Sequence, residues 1–103
     1  MKIEKQFMRS VFVLRAGGFR TTRQIMGVLL IKLNPGCDYE LISKGLMLSL
    51  DSTRALVRRL KEDGYVDLDR NETTGHYENF RLSEHCQKVL LRAFVELEAE
   101  VPS

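Results

Sequence analysis

Residues 51–69 read DSTRALVRRLKEDGYVDLD, with Arg54 and Arg58 four residues apart and Lys61 one turn beyond. At helical pitch the two arginines point outward together, beside the small residues Ser52 and Ala55, while Thr53, Leu56, Val57 and Leu60 turn inward. A guanidinium is a planar fork of donors that matches guanine O6 and N7, or a phosphate, with two parallel hydrogen bonds. Small residues at the start of such a helix permit close approach, and a helix N-terminus favours phosphate oxygens. The same pattern also suits the solvated face of a surface helix, so the neighbouring elements must decide between the two.

Other groupings carry less chemistry. The sequence holds no Gly-rich phosphate loop, no His-x-x-x-His pair and no Ser or Cys nucleophile with a recognisable base, so an enzyme is not expected. Asp67 and Asp69 lie two apart on an expected strand and read as solvent-facing acids rather than a metal site. Cys37 and Cys86 are expected as free, partly buried thiols, with a regulatory disulfide as the alternative. Neither has a metal-like spacing to His76 or His85. No metal or cofactor is expected. Tyr65, Tyr77 and Phe80 read as hairpin packing, not as base-stacking platforms.

The elements that must position the arginines fit in one domain, residues 1–103. Hydrophobic residues at 44% and charged residues at 29% are ordinary for a soluble globular chain. The longest apolar run, Val28 to Ile31, is far too short to span a bilayer, and no export signal is visible at the N-terminus. A cytoplasmic protein without a membrane partner is therefore expected. Residues 1–34 carry seven Lys or Arg against one acid, and residues 35–103 nine against thirteen, so the basic charge is concentrated at the start.

Ile3, Phe7, Val11 and Leu14 recur at helical spacing and predict a first helix over 3–15, ending at Gly17-Gly18. Thr21-x-x-Gln24 has the form of a capping box and opens a helix that is apolar on nearly all sides, which suits a central buried position. Asn34-Pro35-Gly36 ends it. Asp38 caps a short helix from Tyr39 to about Leu46, burying Leu41, Ile42 and Leu46. Met47 to Leu50 is a turn, and Ser49 or Asp51 caps the arginine-bearing helix, which runs to Asp63 and stops at Gly64. Residues 65–69 and 77–82 alternate as strands around a polar tip from Arg70 to His76. In the second strand Tyr77, Asn79 and Arg81 are expected on one face, with Glu78, Phe80 and Leu82 on the other. Ser83 caps a last helix over 84–101, with a stripe of Cys86, Val89, Leu90, Ala93, Phe94 and Leu97.

A short helix, a tight turn, a second helix with outward arginines and then a hairpin form a mainly α (α+β) winged helix-turn-helix. The helix-turn-helix spans 38–63 and a two-stranded wing 65–82, with flanking N- and C-terminal helices. The segments TTRQIMGVLLIKL, ELISKGLMLS, STRALVRRLKEDGYVDLDR and FRLSEHCQKVL, in that order, resemble the multiple-antibiotic-resistance-regulator (MarR) type of winged-helix repressor over about residues 21–91. The most specific piece is Leu60-x-x-x-Gly64-Tyr65-Val66, followed sixteen residues later by Leu82-Ser83.

The resemblance implies a homodimeric repressor or activator on a pseudo-palindromic double-stranded DNA operator. Family base and phosphate contacts then fall on Asp51, Ser52, Arg54 and Ala55, while Arg58, Lys61, Arg70 and His76 join them from their own positions. The chain departs from the family in several ways. Its turn before the reading helix is one residue longer. Ala55 replaces a usual arginine, leaving Arg54 and Arg58 to substitute, and the wing's Asp-x-Arg pair falls on Thr74 and His76. Family members also carry a longer C-terminal helical arm, so a small-molecule effector is not expected here. The first and last helices, 3–15 and 84–101, are expected to join two copies through Ile3, Phe7, Val11, Leu90, Phe94 and Leu97, because one small domain cannot cover both apolar stripes. A winged helix acting as a protein–protein module in a replication, transcription or other assembly is the alternative.

Overall fold

Three side chains, Thr21, Asp38 and Ser49, start three successive helices by accepting a hydrogen bond from a backbone N–H three residues on. The computed structural model describes the backbone of residues 2–100 and the side chains of residues 5, 8, 9 and 11–95. In chain order the elements are α1 (Lys2–Ala16), α2 (Thr22–Leu33), α3 (Tyr39–Leu46), α4 (Leu50–Glu62), β1 (Val66–Arg70), β2 (Tyr77–Leu82) and α5 (Glu84–Glu100). Among the described residues, five helices and one antiparallel hairpin make a mainly helical winged fold. Among the described residues no helix is long and apolar enough to cross a membrane.

The capping box at Thr21 forms in altered shape. Gln24 N–H donates to Thr21 Oγ1 at 3.1 Å as expected, but Gln24 Oε1 accepts from the N–H of Arg20 at 2.8 Å. The side chain of Gln24 is drawn inward, where its amide nitrogen donates to Asp63 Oδ2 at 3.1 Å, and Arg20 Nε reaches the same oxygen at 3.4 Å. The start of α2 is thus tied to the end of α4.

Val28 and Ile31 of α2, Ile42 of α3, Val57 and Leu60 of α4, Phe80 of β2 and Cys86 of α5 are sealed from solvent and form the core. Two expectations fail at its edge. The helix α2 is not buried all round, since Met26 and Leu33 are exposed. Leu41 is exposed as well, because the two turns of α3 offer a single inward line, which Ile42 occupies and Leu46 partly covers.

The wing also breaks its expected alternation. Val66 pairs with Leu82, Asp67 with Arg81, Asp69 with Glu78 and Arg70 with Tyr77, so Leu68 alone opposes both Asn79 and Phe80. This is a β-bulge, and Asn79 takes the left-handed conformation (φ 56°) that asparagine tolerates better than most residues. Past the bulge the faces exchange. Tyr77 joins Phe80 on the inner side, while Glu78, Asn79 and Arg81 are exposed. Cys37 adds a third, single-residue rung: Gly36 N–H donates to the Phe80 carbonyl at 2.8 Å, and Phe80 N–H donates to the Cys37 carbonyl at 2.9 Å.

Candidate nucleic-acid interface

The start of α4 is set by Ser49, whose Oγ accepts from Ser52 N–H at 3.1 Å, and by buried Thr53, whose hydroxyl donates to the Ser49 carbonyl at 2.8 Å. With Thr53, Leu56, Val57 and Leu60 turned into the core, the opposite side presents Asp51, Arg54, Ala55 and Arg58 at intervals of i, i+3, i+4 and i+7. These four line one wall of an open groove of about 840 Å³, together with Lys61 and Glu62. Gly75, His76 and Tyr77 of the wing line the other wall, and half-buried Tyr39 and Leu68 complete it.

The structure therefore brings six of the eight expected residues together, namely Asp51, Arg54, Ala55, Arg58, Lys61 and His76. Ser52 is not among the lining residues; it is half-buried in the cap, where Ser49 and Ser52 hydroxyls lie 3.0 Å apart. Arg70 ends β1, with its guanidinium 4.0 Å from where a Cβ on Gly75 would lie, so it covers the wing turn. Lys61 is folded over the ring of Tyr77, 4.6 Å from its centroid, a cation–π contact between α4 and the wing. Sequence reasoning missed Tyr39 and Tyr77 as lining residues. The signal for Tyr39 was its place directly after the Asp38 cap, and Tyr77 was hidden by the bulge.

Electrostatically the groove carries Arg54, Arg58 and Lys61 against Asp51 and Glu62. Arg54 Nη1 lies 3.7 Å from Asp51 Oδ1, with both groups largely open to solvent, so the pair adds little stability. Burial and the neighbouring Tyr77 push the Tyr39 hydroxyl above its ordinary pKa, with Arg54 pulling it back. It stays protonated at neutral pH as a hydrogen-bond donor.

The wing is held to its angle from both ends. Asp69 accepts from Asn79 Nδ2 at 2.7 Å and from Arg81 Nη2 at 3.1 Å, and these bonds hold its carboxyl below the usual range. At the tip, Asn71 Oδ1 accepts from the N–H groups of Thr73 and Thr74 at 2.9 and 3.2 Å. At the base, Ser83 Oγ donates to the Gly64 carbonyl at 2.6 Å and accepts from Cys86 N–H at 3.1 Å, so one hydroxyl joins the end of α4 to the start of α5. Tyr65 packs beside it between Phe19 and His85, with ring centroids 4.6 and 5.6 Å away.

Burial pushes the Cys86 thiol up to about 12, and burial followed by the charge of Asp38 raises that of Cys37. Both are free thiols. Among the expected residues of the flanking helices, Leu90 is buried and Val11 and Phe94 are partly buried against the same core. The side chains of Ile3, Phe7 and Leu97 lie outside the described residues. Among the described residues of these helices, the large apolar side chains open to solvent are Met8, Phe12, Leu91 and Val95.

A helix-turn-helix with an antiparallel wing and a groove between reading helix and wing defines a winged helix-turn-helix protein. Its particular form is the fold of MarR family proteins, and three solved structures illustrate the likeness. A MarR family protein from Bacillus stearothermophilus superposes with a TM-score of 0.77 at 17% identity, covering 96% of this chain and 68% of the other. A transcriptional regulator from Thermotoga maritima gives 0.79 at 20% identity, covering 94% and 67%. Reduced AbfR bound to DNA gives 0.72 at 18% identity, covering 99% and 73%. No family model and no curated protein matches the sequence.

Proposed function

We propose that this protein is a sequence-specific double-stranded DNA-binding transcriptional regulator that acts as a homodimer in the cytoplasm, most simply as a repressor. The observation that carries the reading is the groove, in which an outward stripe of Asp51, Arg54, Ala55 and Arg58 on α4 faces His76 and Tyr77 of the wing. A reading helix of this kind enters a major groove while the wing follows the adjacent backbone or minor groove. Arg54 and Arg58 are the base- and phosphate-directed donors, and Arg70 and His76 serve the wing. The DNA-bound state of reduced AbfR, a protein of the same fold, supports this assignment. The homodimer reading is supported by the open Met8 and Phe12 of α1 and Leu91 and Val95 of α5. A two-fold pair would present two reading helices to successive major grooves, about 34 Å apart.

The test is a salt-titrated binding assay with duplex fragments. One fragment should bind tightly, with affinity falling steeply as salt rises. Arg54→Ala and Arg58→Ala should each cost about 1–3 kcal/mol of specific binding without loss of folding, and Arg70→Ala should flatten the salt slope by about one unit. The second reading is a protein–protein module. It is favoured by Met47, 92% exposed at the turn before α4, with exposed Leu41 and Leu50 nearby in sequence. Absence of duplex binding even at low salt selects it.

A further inference from the structure

The outward stripe of α4 contains an acid, and DNA offers an acid few partners. The Asp51 side chain is 97% exposed, belongs to the groove wall, and comes one helical turn before Arg54. A carboxylate turned toward a duplex is repelled by every phosphate. In the major groove only the exocyclic amino groups, cytosine N4 and adenine N6, donate to it. Of the two, cytosine N4 stands across its base pair from guanine O6 and N7, the acceptors that suit an arginine. Asp51 and Arg54 form such a complementary set, an acceptor and a donor fork with Oδ1 and Nη1 3.7 Å apart on one face. Ala55, one turn beyond Asp51, adds only a methyl group and leaves both polar groups unobstructed.

We infer that Asp51 and Arg54 read one C·G base pair in each half-site as a unit, Asp51 accepting from cytosine N4 while Arg54 donates to guanine O6 and N7. The inference rests on the DNA-binding reading above and adds the identity of a base pair to it. In the free protein the two groups lie side by side on the groove wall. On the duplex the two groups separate onto their base partners, exchanging one weak, solvated ion pair for hydrogen bonds to a matched pair of base edges.

Selection of the full-length protein on a duplex library with a randomised central segment tests this. The wild type should enrich one invariant C·G pair per half-site. Asp51→Ala should lose about tenfold in discrimination at that position while binding unrelated duplex more tightly, since a repulsive charge has gone. Asp51→Asn, which adds a donor to the acceptor, should shift that position toward adenine. An Asp51→Ala protein that enriches the wild-type sequence unchanged and merely binds all duplexes more tightly would overturn the inference, leaving Asp51 a general repulsive group. In that case the retained wild-type sequence preference shows that the DNA-binding reading stands while the Asp51 assignment falls. A wild type that binds no duplex overturns both.

Discussion

In the lobe of α2, α3 and α4, Ile31, Ile42, Val57 and Leu60 are sealed from water, whereas along α1 and α5 Met8, Phe12, Leu91 and Val95 stand open to it. Both regions draw on similar residue types, so composition does not explain the contrast. The lobe encloses its core because four elements converge on α2, which packs against α1, α3, α4 and β2. The helices α1 and α5 pack on each other and lend one side each to the core, and two helices cannot cover all of their apolar sides at once. The inward line of the lobe is covered within the chain, although Met26, Leu33, Leu41 and Leu50 stay exposed on its outer side; the open side of α1 and α5 is covered by a second copy on the reading proposed above.

The sharpest way to break the contrast is inside the lobe. Leu60→Ala should cost about 2–5 kcal/mol in urea unfolding, because Leu60 is fully enclosed and its neighbours cannot collapse into the space. A loss comparable to that of a surface substitution would mean the lobe is not the rigid half. On the other half, Phe12→Glu should leave the lobe folded by circular dichroism and convert a particle of twice 11.9 kDa into one of 11.9 kDa by light scattering. A wild-type protein that already scatters as a single chain at high concentration would end the homodimer reading.

A smaller effect is expected in the wing, which is held by exposed polar bonds. Asn79→Val should cost about 1–3 kcal/mol, since a β-branched residue is strained at φ 56°, whereas Asn79→Gly relieves the backbone and loses only the bond to Asp69. Thermal midpoints that rank valine equal to glycine would refute the bulge. The pH dependence has a definite sign here. The folded pKa of Asp69 is depressed, so its contribution is present above the ordinary carboxylate range and is lost as pH falls through the folded value. Asp69→Asn should flatten that acid limb of the stability profile. The smallest effect concerns Cys86. With its thiol pushed up to about 12 by burial, Cys86 stays protonated at pH 8, so iodoacetamide should leave it untouched until denaturant is added, while half-buried Cys37 reacts slowly. Equal labelling rates would show that α5 lifts from the core.

The helices were legible in the sequence because their signals are local. Thr21, Asp38, Ser49 and Ser83 each accept from the N–H three residues on, and apolar spacing located the inward line of α4 residue for residue. What was not legible depends on distant partners. The outer bond of Gln24 moved to Arg20 because Asp63, thirty-nine residues away, claims its amide. The Cys37 rung depends on Phe80, and alternation in β2 fails at one residue whose left-handed conformation no periodicity announces. At the groove, the outward Arg54, Ala55 and Arg58 of α4 followed from helical pitch and Asp51 from the family resemblance, but Ser52 was withdrawn into the cap and Lys61 was drawn onto a tyrosine that the bulge had turned inward.

That bulge constrains which insertions and deletions the wing can tolerate. Deleting Asn79 would restore strict two-residue parity along β2 and keep the present faces, with Phe80 and Tyr77 inward and Glu78 outward. A residue inserted between Glu78 and Asn79 would instead invert the tip side: Tyr77 would leave Lys61 for solvent, and Glu78 would face the arginines of α4. A single-residue insertion at that point therefore alters sign as well as reach, replacing an aromatic wall with an acidic one. Apart from loss of the bulge residue, length variation compatible with the groove is restricted to paired changes in the strands, or to the turn from Asn71 to Gly75, where residues can be added without changing the parity of either strand.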